Sequence, residues 1–171
     1  MLIHSGLLIR GGGAYSIRDK RGRLKARGQW RNGATTVGMN LALDVHLHGT
    51  SAVGTWYLGL IDNASYSALA AADTMSSHSG WIELVAYDEA ARVTYVEAAA
   101  SAGLTTNTAS PAVFTFNDGK TVKGIFCNSV STKSGTTGTL WATGLLDTSQ
   151  AVVATDTLTL TYENQLQALT T

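Results

Sequence analysis

An aspartate and two histidines are the side chains in this sequence best suited to metal chemistry. Asp44, His46 and His48 alternate, so in a β-strand all three would point to the same face. Imidazole and carboxylate groups are ordinary zinc ligands, and His78 or Glu83 could complete a tetrahedral set. A helix would break the shared face, however, and so short a pattern often arises by chance. We therefore expect no metal site here, but histidines that are partly buried or lie at an interface.

The hydroxyl and thiol side chains form no recognisable catalytic motif. No G-x-S-x-G turn is present, and the closeness of Asp73, Ser77 and His78 in sequence is not the geometry of a triad. The one cysteine, Cys127, lies in an apolar strand pattern, where we expect a small core residue. The glycine-rich stretches GGGAYS and KSGTTGT lack the strand-to-helix context of a phosphate loop. We predict no enzymatic activity, no catalytic residue and no cofactor.

Basic charge is concentrated near the start of the chain. Residues 1–31 hold eight of the twelve basic side chains and one of the twelve acidic ones, so their formal charge is +7 and that of the remainder is −7. Such a cluster could bind nucleic acid, but it lies on no recognisable DNA-binding module and the rest of the chain is acidic. We predict instead that it docks onto carboxylates of another subunit. The predicted partner-binding residues are Arg18, Lys20, Arg21, Arg23, Lys25, Arg27 and Arg31.

The elements that must position these residues are mostly strands. In DTLTLTY, at residues 156–162, apolar and threonine side chains alternate with the period of a strand. NDG, at residues 117–119, predicts a hairpin turn. The pattern indicates an all-β protein, an antiparallel sandwich, jelly roll or barrel, and we predict a β-sandwich or jelly-roll-like body. Further strands are predicted within residues 55–62, 81–87, 92–96, 112–116, 121–127 and 139–145.

Two segments fit a helix as well as a strand, and at most one short helix is expected. Residues 36–48 carry apolar side chains at both spacings, and we slightly favour a strand; residues 66–72 are short and rich in alanine. The three glycines at residues 11–13 predict a flexible joint. The basic stretch after them is predicted to be either a hairpin with a charged tip or an arm that orders on a partner. We divide the chain into an N-terminal arm or hairpin, 1–31, and a β-sandwich body, 32–171.

Length and composition favour a soluble subunit of an assembly. A chain of 171 residues is long enough to bury one core without disulfides. It shows neither a cleavable leader nor an apolar run of about 18 residues, so we expect no membrane contact. Only 14% of the residues are charged, whereas free monomers usually have about a quarter. A surface with so little charge is typical of a protein that is covered by neighbours.

Several segments, taken in their order along the chain, resemble a family of small structural proteins from tailed bacteriophages. The resemblance covers residues 28–163. It implies a virion protein assembled in the cytoplasm of the host bacterium, most simply a capsid-decorating or cement protein that binds the major capsid protein or other virion proteins as a dimer or trimer. The segments are RNGATTVGMNLALDV (31–45), TWYLGLID (55–62), DTMSSHSGWIE (73–83), FTFNDGKTVKGIF (114–126), GTTGTLWATGLL (135–146) and DTLTLTYE (156–163).

Other positions in a phage particle fit the same resemblance. The alternatives are a neck or tail accessory protein, and a module on the virion surface that binds a host glycan. For the glycan-binding alternative, Trp30, Tyr66 or Trp141 would supply the stacking platform. No catalytic residue is implied by the family.

Overall fold

The described part of the chain, residues 6–169 of a computed structural model, forms an antiparallel β-sheet with one helix. The prediction of an all-β protein with at most one short helix is confirmed for these residues. None of their helices has the length and apolar character needed to cross a membrane. The strands are β1 (Gly6–Arg18), β2 (Leu24–Ala34), β3 (Trp56–Asp62), β4 (Glu83–Leu84), β5 (Val93–Tyr95), β6 (Leu104–Thr106), β7 (Ala112–Thr115), β8 (Lys120–Asn128), β9 (Leu140–Val152), β10 (Thr157–Leu160) and β11 (Glu163–Leu169), and the helix is α1 (Thr36–Leu47).

The sheet is a single curled layer. Eight strands follow one another in the order β4, β3, β8, β9, β2, β1, β10, β7, while β11 pairs with β1 and β6, and β5 pairs with β3. Its two ends meet, because Tyr87, just beyond β4, forms a bridge with Phe116, just beyond β7. The amide of Asp88 also donates a hydrogen bond to the carbonyl of Thr115 at 2.8 Å. Since the eleven strands belong to one hydrogen-bonded sheet, the finer prediction of a sandwich or jelly roll is not confirmed.

The inner side of the curl holds the main core. In β10 the alternation predicted from sequence is present, with Leu158 and Leu160 fully buried. Tyr162 is also fully buried, and its ring packs against Trp30 and Tyr95 at centroid distances of 4.9 and 5.1 Å. Aromatic rings from three separated parts of the chain therefore tie opposite walls of the curl together.

Residues 117–119 form a turn, but the hairpin predicted there is wrong. The strand before the turn, β7, pairs with β10, whereas the strand after it, β8, pairs with β3 and β9. The turn lies where the ends of the sheet meet, and the Asn117 amide donates to the Ala86 carbonyl at 3.3 Å. Local turn chemistry thus sets a change of direction, while the curl of the sheet decides which strands pair.

The basic stretch is a hairpin, one of the two predicted alternatives, and it is part of the sheet. β2 pairs with β9, and β1 pairs with β10 and β11 on its other side. Tyr15, Ile17 and Trp30 are each no more than 3% exposed and belong to the main core. Residues 6–34 therefore supply two central strands of the sheet that the rest of the chain completes.

The glycine triplet, residues 11–13, lies inside β1 and is not the predicted flexible joint. A side chain on Gly13 would overlap the carbonyl of Thr161, and one on Gly11 would overlap the amide group of Asn32. These glycines let neighbouring strands approach closely where the sheet curls most tightly.

Helix α1 corrects the slight preference for a strand at residues 36–48. Thr35 begins the helix as its N-cap, since its hydroxyl accepts a hydrogen bond from the Gly38 amide at 3.1 Å. Gly38 is required because a side chain there would overlap the carbonyl of Trp141 on β9. The alternating leucines that favoured a strand are not a buried face, because Leu43 and Leu47 are 58% and 82% exposed. The cap and the close contact with β9 prevail over a period-two pattern that buries little.

The segment 63–82 crosses the outer side of the sheet as a loop, so the helix considered at residues 66–72 does not form. It covers a second apolar cluster in which Trp81, 1% exposed, packs against Phe126 of β8 at 5.2 Å. Three further buried members complete this cluster on the outer side: Ile61, Met75 and Leu140. The sheet thus carries apolar side chains on both faces at β3 and β8, as the uninterrupted apolar run in β3 indicated.

Candidate functional site

The tip of the basic hairpin is a rigid turn built around Asp19. Its carboxylate accepts hydrogen bonds from the amides of Arg21 and Arg23 at 2.9 and 3.0 Å and from the Arg23 guanidinium at 2.7 Å. Desolvation opposes ionisation, yet the hydrogen bonds from Arg23 outweigh it and lower the pKa of Asp19. Gly22 supplies the positive φ, +74°, that closes the turn. These contacts order the backbone of the turn and the Arg23 side chain without a partner.

Three of the seven predicted docking residues already have partners within the hairpin or next to it. Arg18 donates to the Gly22 carbonyl at 2.8 Å, and Arg23 pairs with Asp19. Lys25 forms an ion pair with Asp156, which is 1% exposed. Arg23 and Lys25 are thus paired with internal carboxylates, and Arg18 is bonded to a carbonyl of the turn, so these three side chains are less available to another protein.

The other four predicted residues, Lys20, Arg21, Arg27 and Arg31, are exposed and have no acidic partner among residues 6–169. Arg27 and Arg31 lie on the same face of β2, where successive odd-numbered side chains point outward, and are about 13 Å apart along the strand. We call these four residues the free cations. Arg27 and Arg31 lie on a strand that contributes to the main core, whereas Lys20 and Arg21 lie in the turn at the tip of the hairpin.

Asp147 of β9 fixes the hairpin to the rest of the sheet. It accepts hydrogen bonds from the Tyr15 hydroxyl at 2.7 Å and the Gln29 amide at 3.1 Å. These bonds, that from Tyr15 above all, lower the pKa of Asp147, while burial and the Asp147 contact raise the pKa of Tyr15 to about 12. Gly28 makes room for the carboxylate, which would lie 2.5 Å from a side-chain carbon at that position.

A groove of about 780 Å³ lies beside the free cations, over the glycine triplet. Gly12 is flanked by Arg31 on β2 and Glu163 on β11, both paired with it across the ladder. The two charged residues are therefore two strand spacings apart, about 10 Å, and form no ion pair with each other.

Asp44, His46 and His48 lie on or next to helix α1 and are exposed, so the shared strand face considered for a metal site does not exist. A helical turn places His46 away from the line that joins the other two. Among residues 6–169 no three His, Cys, Asp or Glu side chains are grouped closely enough to hold a metal ion.

Asp73, Ser77 and His78 hold a loop in place and do not form a triad. The Asp73 carboxylate accepts from the Trp81 indole at 3.0 Å. The His78 ring stacks on that indole at 3.9 Å, and its Nδ1 is hydrogen-bonded to the Trp81 carbonyl. Ser77 forms a backbone bridge with Thr74. The Asp73 carboxylate and the His78 Nδ1 are thus bonded to Trp81 and not to each other.

Two of the three platforms considered for a glycan are covered. Trp30 is 3% exposed in the main core, and the Tyr66 ring lies under the Lys123 ammonium at 4.9 Å. Trp141 is half-buried and lines a small cavity with Trp56, at 5.8 Å between ring centroids. An exposed flat stacking surface of the kind a sugar ring uses is therefore absent at these positions.

The structure also contains a buried ion pair that sequence reasoning missed. Arg92 donates two hydrogen bonds to Glu83, at 2.9 and 2.8 Å, and one each to the carbonyls of Val130 and Gly135. Its side chain is fully buried, and that of Glu83 is 6% exposed. The pair fastens the loop between β8 and β9 to the sheet. The available signal in the sequence was Arg92 itself, a basic residue between Ala91 and Val93 at the start of a predicted strand.

Comparison with known proteins gives no family for this chain: no protein-family model matches it, and neither does any curated protein.

Proposed function

We propose that this protein is a structural component of a tailed-phage virion, a capsid-decorating or cement protein that binds the major capsid protein or other virion proteins. The observation that carries the proposal is the set of free cations, Lys20, Arg21, Arg27 and Arg31, on a hairpin whose strands belong to the sheet. Because the backbone of the hairpin is already ordered, docking on an acidic surface costs little further backbone entropy, and the planar arginine forks suit carboxylates. The resemblance to phage structural proteins supplies the biological setting.

Helix α1 supports a role in assembly. Met39, Leu43 and Leu47 recur at four-residue spacing and are 39%, 58% and 82% exposed, so they form an apolar stripe on the outer surface. An exposed apolar stripe of this kind is typical of a surface that another subunit covers. In the proposed function the stripe contacts a second copy in a dimer or trimer, or the capsid shell beside the hairpin.

The proposal predicts that heads lacking the protein are less stable. A protein that binds only the assembled shell stabilises it by mass action. Heads assembled without this chain should release their genome at a lower temperature, and adding back the purified protein should restore the original temperature. Equal release temperatures with and without the protein would refute cementing. Localisation of the chain in a density map of the particle separates a head position from the neck and tail alternatives.

The free cations are tested by a pair of double variants that remove the same charge. Arg27→Gln with Arg31→Gln should lower occupancy on heads several-fold, because each arginine loses a charge-assisted contact. Lys120→Gln with Lys123→Gln removes two half-buried cations of β8, one paired with Asp118 and one over the Tyr66 ring, and should leave occupancy unchanged. Occupancy is measured by gel densitometry of purified heads over a range of salt concentrations. Binding should weaken with salt for the wild type and less so for the hairpin variant. Equal occupancy of both variants would contradict docking through the hairpin.

A further inference from the structure

A small aromatic cavity opens at one end of the curled sheet, where β3 begins and β5 ends. Its volume is about 210 Å³, below the roughly 300–1,000 Å³ of pockets for drug-sized ligands, so it suits a single functional group. Six strands or their adjoining residues contribute to its wall. The lining residues are Trp56, Tyr95, Glu97, Thr105, Cys127, Trp141 and Asn164.

A β-bulge places Trp141 in this cavity. Cys127 pairs with Ala142, whereas the next residue on β8, Asn128, pairs with Leu140, so Trp141 is the extra residue of the bulge. Bulges redirect a side chain from the regular alternation of a strand. The Trp141 indole lies 5.8 Å from that of Trp56 at an angle of 57°, and the two rings form adjoining walls.

Hydrogen bonds hold Trp141 both through its indole and through its backbone. Its Nε1 donates to the side-chain oxygen of Asn164 at 2.9 Å. The backbone carbonyl of Trp141 accepts from the amide of Thr35, the residue that caps helix α1, at 3.0 Å. The aromatic wall is therefore built into the fold and does not depend on a ligand for its position.

Glu97 is the one charged residue in the lining, and it is exposed and forms no ion pair within residues 6–169. Burial raises the pKa of the Cys127 thiol, and the Glu97 charge raises it further; both also raise the pKa of Tyr95. A thiol kept protonated is a poor nucleophile, so the cavity is suited to binding and not to thiol chemistry.

We propose that this cavity binds an organic cation, a guanidinium or alkylammonium group, against the walls formed by the two indoles and beside Glu97. The faces of tryptophan rings attract cations, and a carboxylate without a partner adds to the attraction. An anion would be repelled by Glu97, and a sugar would lack a flat exposed ring to stack on, because the two indoles are steeply inclined to each other. This inference does not rest on the virion role, since none of the lining residues belongs to the free cations.

The experiment uses the intact protein and small probes. N-acetyl-arginine methylamide is titrated while the indole ¹H–¹⁵N signals of the tryptophans are followed by NMR. The signals of Trp56 and Trp141 should shift saturably, whereas those of Trp30 and Trp81, buried elsewhere, should stay in place. The neutral analogue N-acetyl-citrulline methylamide has nearly the same shape and should bind at least about tenfold more weakly.

Matched acidic variants test the role of the carboxylate. Glu97→Gln should weaken binding of the arginine probe about tenfold and remove most of its salt dependence. Asp118→Asn removes another exposed carboxylate, in the turn before β8, whose first residue, Lys120, is about 23 Å along the strand from Cys127. This variant should leave binding of the arginine probe unchanged. Both variants alter exposed side chains, so the spectrum of the folded protein should persist.

The outcomes separate the two sources of such a cation. Tighter binding of the arginine probe than of choline indicates a side chain of a protein partner, and the reverse order indicates a free quaternary ammonium compound. Equal affinity for the arginine and citrulline probes, or unchanged affinity in Glu97→Gln, would overturn the proposal. So would shifts confined to Trp30 and Trp81.

Discussion

Removing one partner of the Arg92–Glu83 pair should cost about 3–5 kcal/mol of folding stability. Arg92→Met keeps an unbranched apolar chain but leaves a carboxylate that is 6% exposed without its cation. It also removes the donors to the Val130 and Gly135 carbonyls. The loss is a large part of the roughly 5–15 kcal/mol that stabilises a typical domain, so the variant should unfold at a much lower urea concentration.

A double-mutant cycle measures the coupling directly. Glu83→Leu alone should also destabilise the protein by several kcal/mol, because a guanidinium is then buried without a counter-charge. The double variant Arg92→Met with Glu83→Leu removes both charges and should be more stable than the sum of the single losses predicts, by about 2 kcal/mol or more. Arg27→Met, an exposed change of the same type, should alter stability by less than about 0.5 kcal/mol. Additive single losses in urea unfolding would show that the two side chains do not act as a buried pair.

Three further changes are expected to separate internal contacts from surface charge. Lys25→Gln should destabilise the fold by about 1–3 kcal/mol, because it leaves the buried Asp156 without its cation, whereas Arg27→Gln should not; urea unfolding compares them. Asp147→Asn should reduce the loss of stability in acid: the pKa of Asp147 is lowered on folding, so its contribution is present above the unfolded pKa of about 3.9 and disappears as pH falls through the lower folded value. An unchanged acid dependence would contradict this. Gly13→Ala should cost about 1–3 kcal/mol through overlap with the neighbouring strand, and a thermal midpoint equal to that of the wild type would disprove the close approach.

The strands were largely predictable, and the way in which they pair was not. Alternation in residues 156–162 and the apolar run at residues 55–62 mark β10 and β3 because each pattern reports which faces are buried. The turn at residues 117–119 was recognised, but its chemistry carries no information on whether the flanking strands are neighbours. That depends on the curl, which is set by contacts between distant residues such as Tyr87 and Phe116.

The candidate site was predictable only where it depends on local sequence and not on contacts between distant residues. Charge concentration at residues 18–31 is visible in the sequence, and so is the hairpin as one of two alternatives. The aromatic cavity was not, because it gathers residues from six separated segments and depends on a bulge that shifts Trp141 out of register. A single bulged residue leaves no mark on composition or periodicity. The slight preference for a strand at residues 36–48 was wrong because the exposed leucines of α1 also fit the spacing of a strand. Thr35, the N-cap of the helix, was the local signal for a helix start.

The seven basic residues predicted to dock on a partner fall into two groups, those with internal contacts and those without. Lys25 neutralises a carboxylate that the fold has buried, and Arg23 closes the hairpin turn, so replacing either one changes the folded protein itself. Arg27 and Arg31 have no such partner in the part of the chain that the structure describes. A variant that removes all seven charges at once would lose assembly even if the surface played no part in it. Only variants restricted to the free cations, shown by urea unfolding to be as stable as the wild type, can connect a loss of assembly to docking.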